Sequence, residues 1–172
     1  HRAVVGIGER ARMRGVGGIG DTAYGQLTEG GFARVEDIAE ASVEELAEKA
    51  ADVTGREAGE IFSVLLDREK LGSTGVGGGV AIPHGKLADL DRLHMIFARA
   101  QNPIEFDAVD EHPVDLFCML IAPEEAGADH LKALARISRL LRNQGMCDKL
   151  RGAGSADAIY ALLTQDEAEQ AA

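Results

Sequence analysis

The chain has 172 residues, 45% of them hydrophobic, with 18 Lys and Arg against 29 Asp and Glu and a formal net charge of −11. This is apolar material enough for one packed domain, and the acidity argues against general nucleic-acid affinity through phosphate contacts. The longest strongly apolar run, Leu116 to Ala122, falls far short of the ~20 residues a membrane-crossing helix needs, and no signal peptide is recognisable, so a cytoplasmic protein without a membrane span is expected.

The charge is unevenly placed. Residues 1–34 hold five Lys/Arg against three Asp/Glu, and the remainder holds thirteen against twenty-six. We therefore divide the chain into an atypical N-terminal segment, 1–34, and a main domain, 35–172. Val16-Gly17-Gly18-Ile19-Gly20-Asp21, Leu27, Gly31-Phe32 and Val35 to Ala39 look like a helix-hairpin-helix element. Its Gly-x-Gly turn could offer backbone N–H groups to a nucleic-acid phosphate, helped by Arg10, Arg12 and Arg14. The alternative is a short helical cap on the main domain, and it is preferred because a single copy of such an element usually packs against protein.

Helical periodicity follows at Val43 to Ala51 and Ala58 to Leu71. In the second helix Arg68 shares a face with Ile61, Val64 and Leu65, so a charge lies on an apolar stripe. Its guanidinium could grip phosphoryl oxygens, orient a catalytic group, or form a structural ion pair. Gly72 is expected to cap this helix. Strand-like runs come at Val80 to Ile82, Leu93 to Ala98 and Val114 to Ile121, then helices at His130 to Leu141 and Ala156 to Leu163, with a break at Gly152 or Gly154. Alternating helices and strands predict an α/β sandwich: a central mixed β-sheet flanked by helices on both faces.

The most informative stretch is Leu71 to Lys86, in which a small-residue loop feeds a short apolar strand that stops at His84. Pro83 is expected to block further ladder pairing, and Gly85 to allow a turn. The glycines could let backbone N–H groups approach an anion, and the Ser73 and Thr74 hydroxyls could donate to phosphoryl oxygens. No Gly-Lys-Ser/Thr follows, so this is not a nucleotide P-loop. A neutral imidazole is a good nucleophile near pH 7, and one ring nitrogen must be bare while the other donates its N–H. His130 falls in the first turn of a helix, where backbone N–H groups and the dipole favour an anion.

Arg68-Glu69-Lys70-Leu71-Gly72-Ser73-Thr74-Gly75 followed by Ala81-Ile82-Pro83-His84-Gly85-Lys86 resembles the enzyme IIA domain of the fructose/mannitol class of the bacterial phosphotransferase system, closest to its nitrogen-regulatory branch. Pro103 to Ala108, Pro113 to Leu116, Ala122 to Glu124 and His130 to Ser138 continue the likeness, which spans roughly residues 41–163. The resemblance implies that His84 accepts a phosphoryl group on its distal nitrogen from a phosphocarrier of the HPr type, with His130 and Arg68 in support. It also implies a regulatory component whose targets could be a potassium transporter or a sensor kinase. Two further readings stay open: an enzyme IIA of sugar uptake, and a non-catalytic binding module toggled by His84 phosphorylation. Ser73, Thr74 and Gly75 are carried as phosphate-binding candidates. No cofactor is implied.

Other chemistry is poorly supported by the sequence. Cys118 and Cys147 belong to no metal-ligand spacing, and Cys118 lies in an apolar run where burial is expected. His94 and His112 lie outside the shared motifs and are expected to be packing or surface residues.

Overall fold

The structure is a computed structural model that describes residues 24–25, 32–38 and 43–171, with side chains described over 43–165. Strands β1 (Tyr24–Gly25), β2 (Phe32–Ile38), β3 (Gly75–Gly77), β4 (Val80–Ala81), β5 (His84–Leu87), β6 (His94–Ile104) and β7 (Val114–Pro123) form one sheet in the order β1-β2-β6-β7-β4-β3, with β5 also on β7. The helices are α1 (Val43–Thr54), α2 (Ala58–Lys70), α3 (Gly127–Arg142), α4 (Gln144–Gly152) and α5 (Ala156–Ala171).

The sheet is mixed: β2 runs parallel to β6, β6 antiparallel to β7, and β4 and β5 parallel to β7. β7 is the central strand, and its unbroken apolar run reflects burial on both faces. Leu116, Cys118, Leu120 and Ala122 face one core with Ala133, Ile137 and Leu141 of α3, Leu150 of α4 and Ile159 of α5. Phe117, Met119 and Ile121 face the other with Leu46 and Ala50 of α1 and Ile61 and Leu65 of α2. The helices therefore cover both faces, the α/β sandwich that the alternating pattern predicts.

Three local expectations are corrected. Residues 32–38, read as part of a helix-hairpin-helix element, form a strand that pairs with β6 over seven residues, from Phe32 opposite His94 to Ile38 opposite Ala100. The rest of that element lies outside the described residues, apart from β1. The strand expected to end at His84 resumes there. Ala81 stands opposite Phe117 and His84 opposite Leu120, so the register is the same on both sides of the break, and the Pro83 carbonyl still accepts the Leu120 N–H at 2.9 Å. Pro83 lacks a donor but keeps its acceptor, so β4 and β5 are one strand interrupted for two residues.

Gly85, expected to make a turn, lies within β5. A Cβ there would stand 2.3 Å from Cγ1 of Val64, so the glycine lets α2 press directly on the strand. Turn-forming glycine is instead found at Gly77, Gly78 and Gly79, whose φ angles of 97°, 66° and 77° link β3 to β4. Helix α4 had no expected counterpart. Glycines near both its ends hide its period, but Asn143 caps it by accepting the Met146 N–H at 3.1 Å. Gly72 follows α2 at a φ of 147°, and its N–H bonds the Glu69 carbonyl at 3.0 Å, as a helix-ending glycine should.

Candidate functional site

Two helices from opposite layers meet at the interruption between β4 and β5. Val64 seats α2 on Gly85, and Arg68 lies one helical turn further along, beside His84, the residue before Gly85. The Arg68 Nε–H donates to His84 Nε2 at 3.2 Å, while its terminal nitrogen donates to the Gly72 carbonyl at 2.9 Å. From the other layer, His130 at the end of the first turn of α3 brings its ring centroid within 5.8 Å of that of His84, tilted by 47°.

The acceptor that orients His84 is a backbone carbonyl and could not be read from side-chain identities. Ile82, in the two-residue interruption, presents its oxygen 2.8 Å from His84 Nδ1. A carbonyl only accepts, so Nδ1 carries the proton, and the Nε2 lone pair is the one addressed by Arg68. Burial, chiefly, and then the Arg68 charge pull the His84 pKa below its ordinary value against the raising influence of the Ile82 bond and of Glu69. The ring is thus neutral and nucleophilic at pH 7.

His130 is buried, and its Nδ1 has no hydrogen-bond partner among the described residues. Burial first, then the charges of His84 and Lys86, lower its pKa. Two neutral imidazoles and a guanidinium around one spot make an anion-receptive site without self-repulsion between protonated rings.

Ser73, Thr74 and Gly75 are engaged elsewhere. The Ser73 hydroxyl donates to the Phe106 carbonyl at 2.9 Å and accepts the Gly75 N–H at 3.0 Å. Thr74 is buried, with its hydroxyl and N–H both on the Glu69 carboxylate. Their donors serve the loop. Glu69 was missed because nothing in its immediate sequence points to a residue five positions on. His94 is buried at the start of β6 and His112 is exposed, in keeping with packing and surface roles. Cys118 and Cys147 are buried free thiols whose pKa burial pushes up, which leaves neither reactive. No group of three potential metal ligands occurs among the described residues.

Residues 35–166 match the family described as phosphoenolpyruvate-dependent sugar phosphotransferase system, EIIA 2. The chain belongs to this family. A nitrogen regulatory protein of Bradyrhizobium diazoefficiens is 58% identical over 115 residues, 67% of this chain and 75% of that protein. A fructose-specific EIIA component of the phosphotransferase system from Haloferax volcanii is 36% identical over 116 residues, 67% of this chain and 74% of that one. Among solved structures, the nitrogen regulatory protein IIA-Ntr from Neisseria meningitidis superposes with a TM-score of 0.70 at 36% identity, covering 76% of this chain and 92% of that one. The EIIA chain is thus a phosphoryl-accepting regulatory component of a phosphotransferase system, and phosphohistidine chemistry is general to its family. None of its described helices is long and apolar enough to cross a membrane.

The histidines of this EIIA chain make its stability pH-dependent in a definite direction. His84, His94 and His130 all have pKa values below the ordinary 6.5, with burial the largest cause in each. Between the folded and unfolded values the unfolded chain binds protons that the folded chain refuses, so stability is full above about pH 6.5 and falls as pH drops through the folded values. Thermal melts should be level above neutrality and decline progressively from about pH 6.5 downward. A melting temperature that rose on acidification across that window would contradict the burial described here.

Proposed function

We propose that His84 is the phosphoryl-accepting residue and that an HPr-type phosphocarrier protein is its donor. The observation that carries this reading is the divided role of the ring nitrogens: Nδ1–H is committed to the Ile82 carbonyl, and Nε2 is left to Arg68. In the reaction Nε2 gives its electron pair to phosphorus and the phosphorus–nitrogen bond of the donor phosphohistidine breaks, returning its pair to the donor ring. The Arg68 N–H that rests on Nε2 is displaced by the new bond and falls to the phosphoryl oxygens, where its charge counts most. His130 adds a second donor from the facing layer. Ser73, Thr74 and Gly75 hold the loop and do not touch the phosphoryl group. The transfer is catalysed by positioning and charge rather than by a general base.

A protein donor needs a surface to rest on. Leu71, just past the end of α2, and Leu131, next to His130, are large apolar side chains exposed by 84% and 66%. They support docking of a protein beside His84. The high identity to a nitrogen regulatory protein favours regulation over sugar uptake as the outlet of the phosphoryl group. A potassium transporter or a sensor kinase is our proposed target class and the cytoplasm our proposed setting.

The test is incubation of the chain with phosphoenolpyruvate, the first phosphotransferase enzyme and its phosphocarrier, followed by intact-mass measurement. One acid-labile phosphoryl adduct is expected. Absence of any adduct would leave a non-catalytic binding module in its place. In the same assay Arg68→Ala should slow phosphoryl acceptance by about 10²–10³-fold, with Arg68→Lys recovering only part because the planar fork is lost. A parent-like rate in Arg68→Ala would remove the guanidinium from the reaction.

A further inference from the structure

Glu69 takes no part in the transfer described above, yet three successive hydrogen bonds connect it to the reacting ring. Its carboxylate accepts the Thr74 N–H at 3.1 Å and also the Thr74 hydroxyl. The Thr74 carbonyl accepts the Ile82 N–H at 3.0 Å. The Ile82 carbonyl accepts His84 Nδ1–H at 2.8 Å. The N–H and C=O of one residue belong to different peptide planes, so the linkage transmits position and not resonance. A buried threonine held at both its donors keeps its carbonyl on Ile82. Ile82 precedes Pro83 and is confined to extended backbone, so its own carbonyl stays on the ring.

We propose that Glu69 is a positioning residue for phosphoryl acceptance, holding through Thr74 and Ile82 the carbonyl that keeps the proton on His84 Nδ1 and the lone pair on Nε2. This deepens the reading of His84 as acceptor and rests on it. The carboxylate also acts through space. As Nε2 gives up its electron pair the ring gains positive charge, and Glu69 is the acidic group acting on that ring, set against Arg68 on the same helix, while the neighbouring His130 ring on α3 feels His84 itself and Lys86 of β5.

The test uses the full chain and the variants Glu69→Gln, Thr74→Val and Thr74→Ser. Nitrogen-15 NMR of the imidazoles gives the His84 tautomer and titration midpoint, and rapid-quench mixing with phosphorylated carrier gives the rate. Glu69→Gln and Thr74→Val should turn a single Nδ1–H tautomer into a mixture and slow acceptance by about tenfold. Glu69→Gln should also lower the His84 midpoint, because a favourable negative charge is gone. Thr74→Ser, which keeps the hydroxyl, should restore tautomer and rate. A single tautomer, an unmoved midpoint and a parent rate in both variants, with only the melting temperature lowered, would reduce Glu69 to a loop anchor and overturn the proposal. If Thr74→Val does not fold, Glu69→Gln and Thr74→Ser decide it. If the parent chain takes no phosphoryl group the reading of His84 fails, while the tautomer and the midpoint still judge Glu69.

Discussion

His84→Ala will take up no phosphoryl group from the phosphorylated carrier, while it melts within a few degrees of the parent. The side chain is half-buried at an interruption in a strand, so removing it opens no interior cavity, and β5 keeps its ladder to β7 through backbone groups alone. What disappears is the lone pair that the proposed transfer uses to form the bond, and no other group at the site is placed to substitute. His130 is the nearest imidazole, but its Nδ1 is buried, and among the described residues no carbonyl holds that nitrogen as Ile82 holds Nδ1 of His84. His130→Ala should therefore still be phosphorylated, at a rate lowered by about a hundredfold, the usual loss when one preorganised donor to a developing anion is removed. An adduct of undiminished yield on His84→Ala would move the acceptor to another histidine and dismantle the site as described.

Of the described glycines, Gly85 should be the one at which an added methyl group, Gly85→Ala, does the most damage. The added Cβ would come within 2.3 Å of Val64 Cγ1, a distance at which something must shift. Valine in a helix is nearly restricted to one χ1 rotamer, so Val64 cannot swing aside cheaply and α2 must lift from the sheet. Overpacking of this kind costs about 1–3 kcal/mol, or roughly 2–4 °C of melting temperature per kcal/mol for a domain of this size. The effect on phosphoryl acceptance should exceed the effect on stability, because Arg68 rides one turn beyond Val64 and would be carried away from His84 Nε2. Val64→Ala makes room, so the double variant should regain both melting temperature and rate relative to Gly85→Ala alone, a coupling that a double-mutant cycle measures directly. If Gly85→Ala matched the parent in both, the close approach of α2 would not be what places Arg68.

Where side chains repeat with a clear period, the fold was legible. The run Leu116 to Ile121 reads as a buried strand because every residue in it meets one of two cores. Ile61, Val64, Leu65 and Arg68 read as one helical face for the same reason, and that face carries the guanidinium to the histidine. Backbone geometry was not legible. Ile82 contributes a carbonyl, which every residue has, so nothing in its side chain marks it as the group that orients His84. Gly85 could be a turn or a close approach, and only the position of Val64 decides between them. β2 has a weak alternating pattern and becomes a strand because β6 offers it seven consecutive partners. The glycine-rich stretch suggested an anion cradle; the structure spends it on a left-handed link between β3 and β4.

The two-residue interruption between β4 and β5 lies where the helical layers of both faces can be reached at once. Arg68 belongs to α2, which packs on one face of the sheet, and His130 to α3, which packs on the other. A dianionic group on His84 Nε2 would therefore act as a clasp, fastening two layers that pack on opposite faces of the sheet. Its arrival and departure would be felt as a change in how firmly the halves of the molecule are joined. A partner gripping either layer could then sense the chemical state of the histidine without touching it.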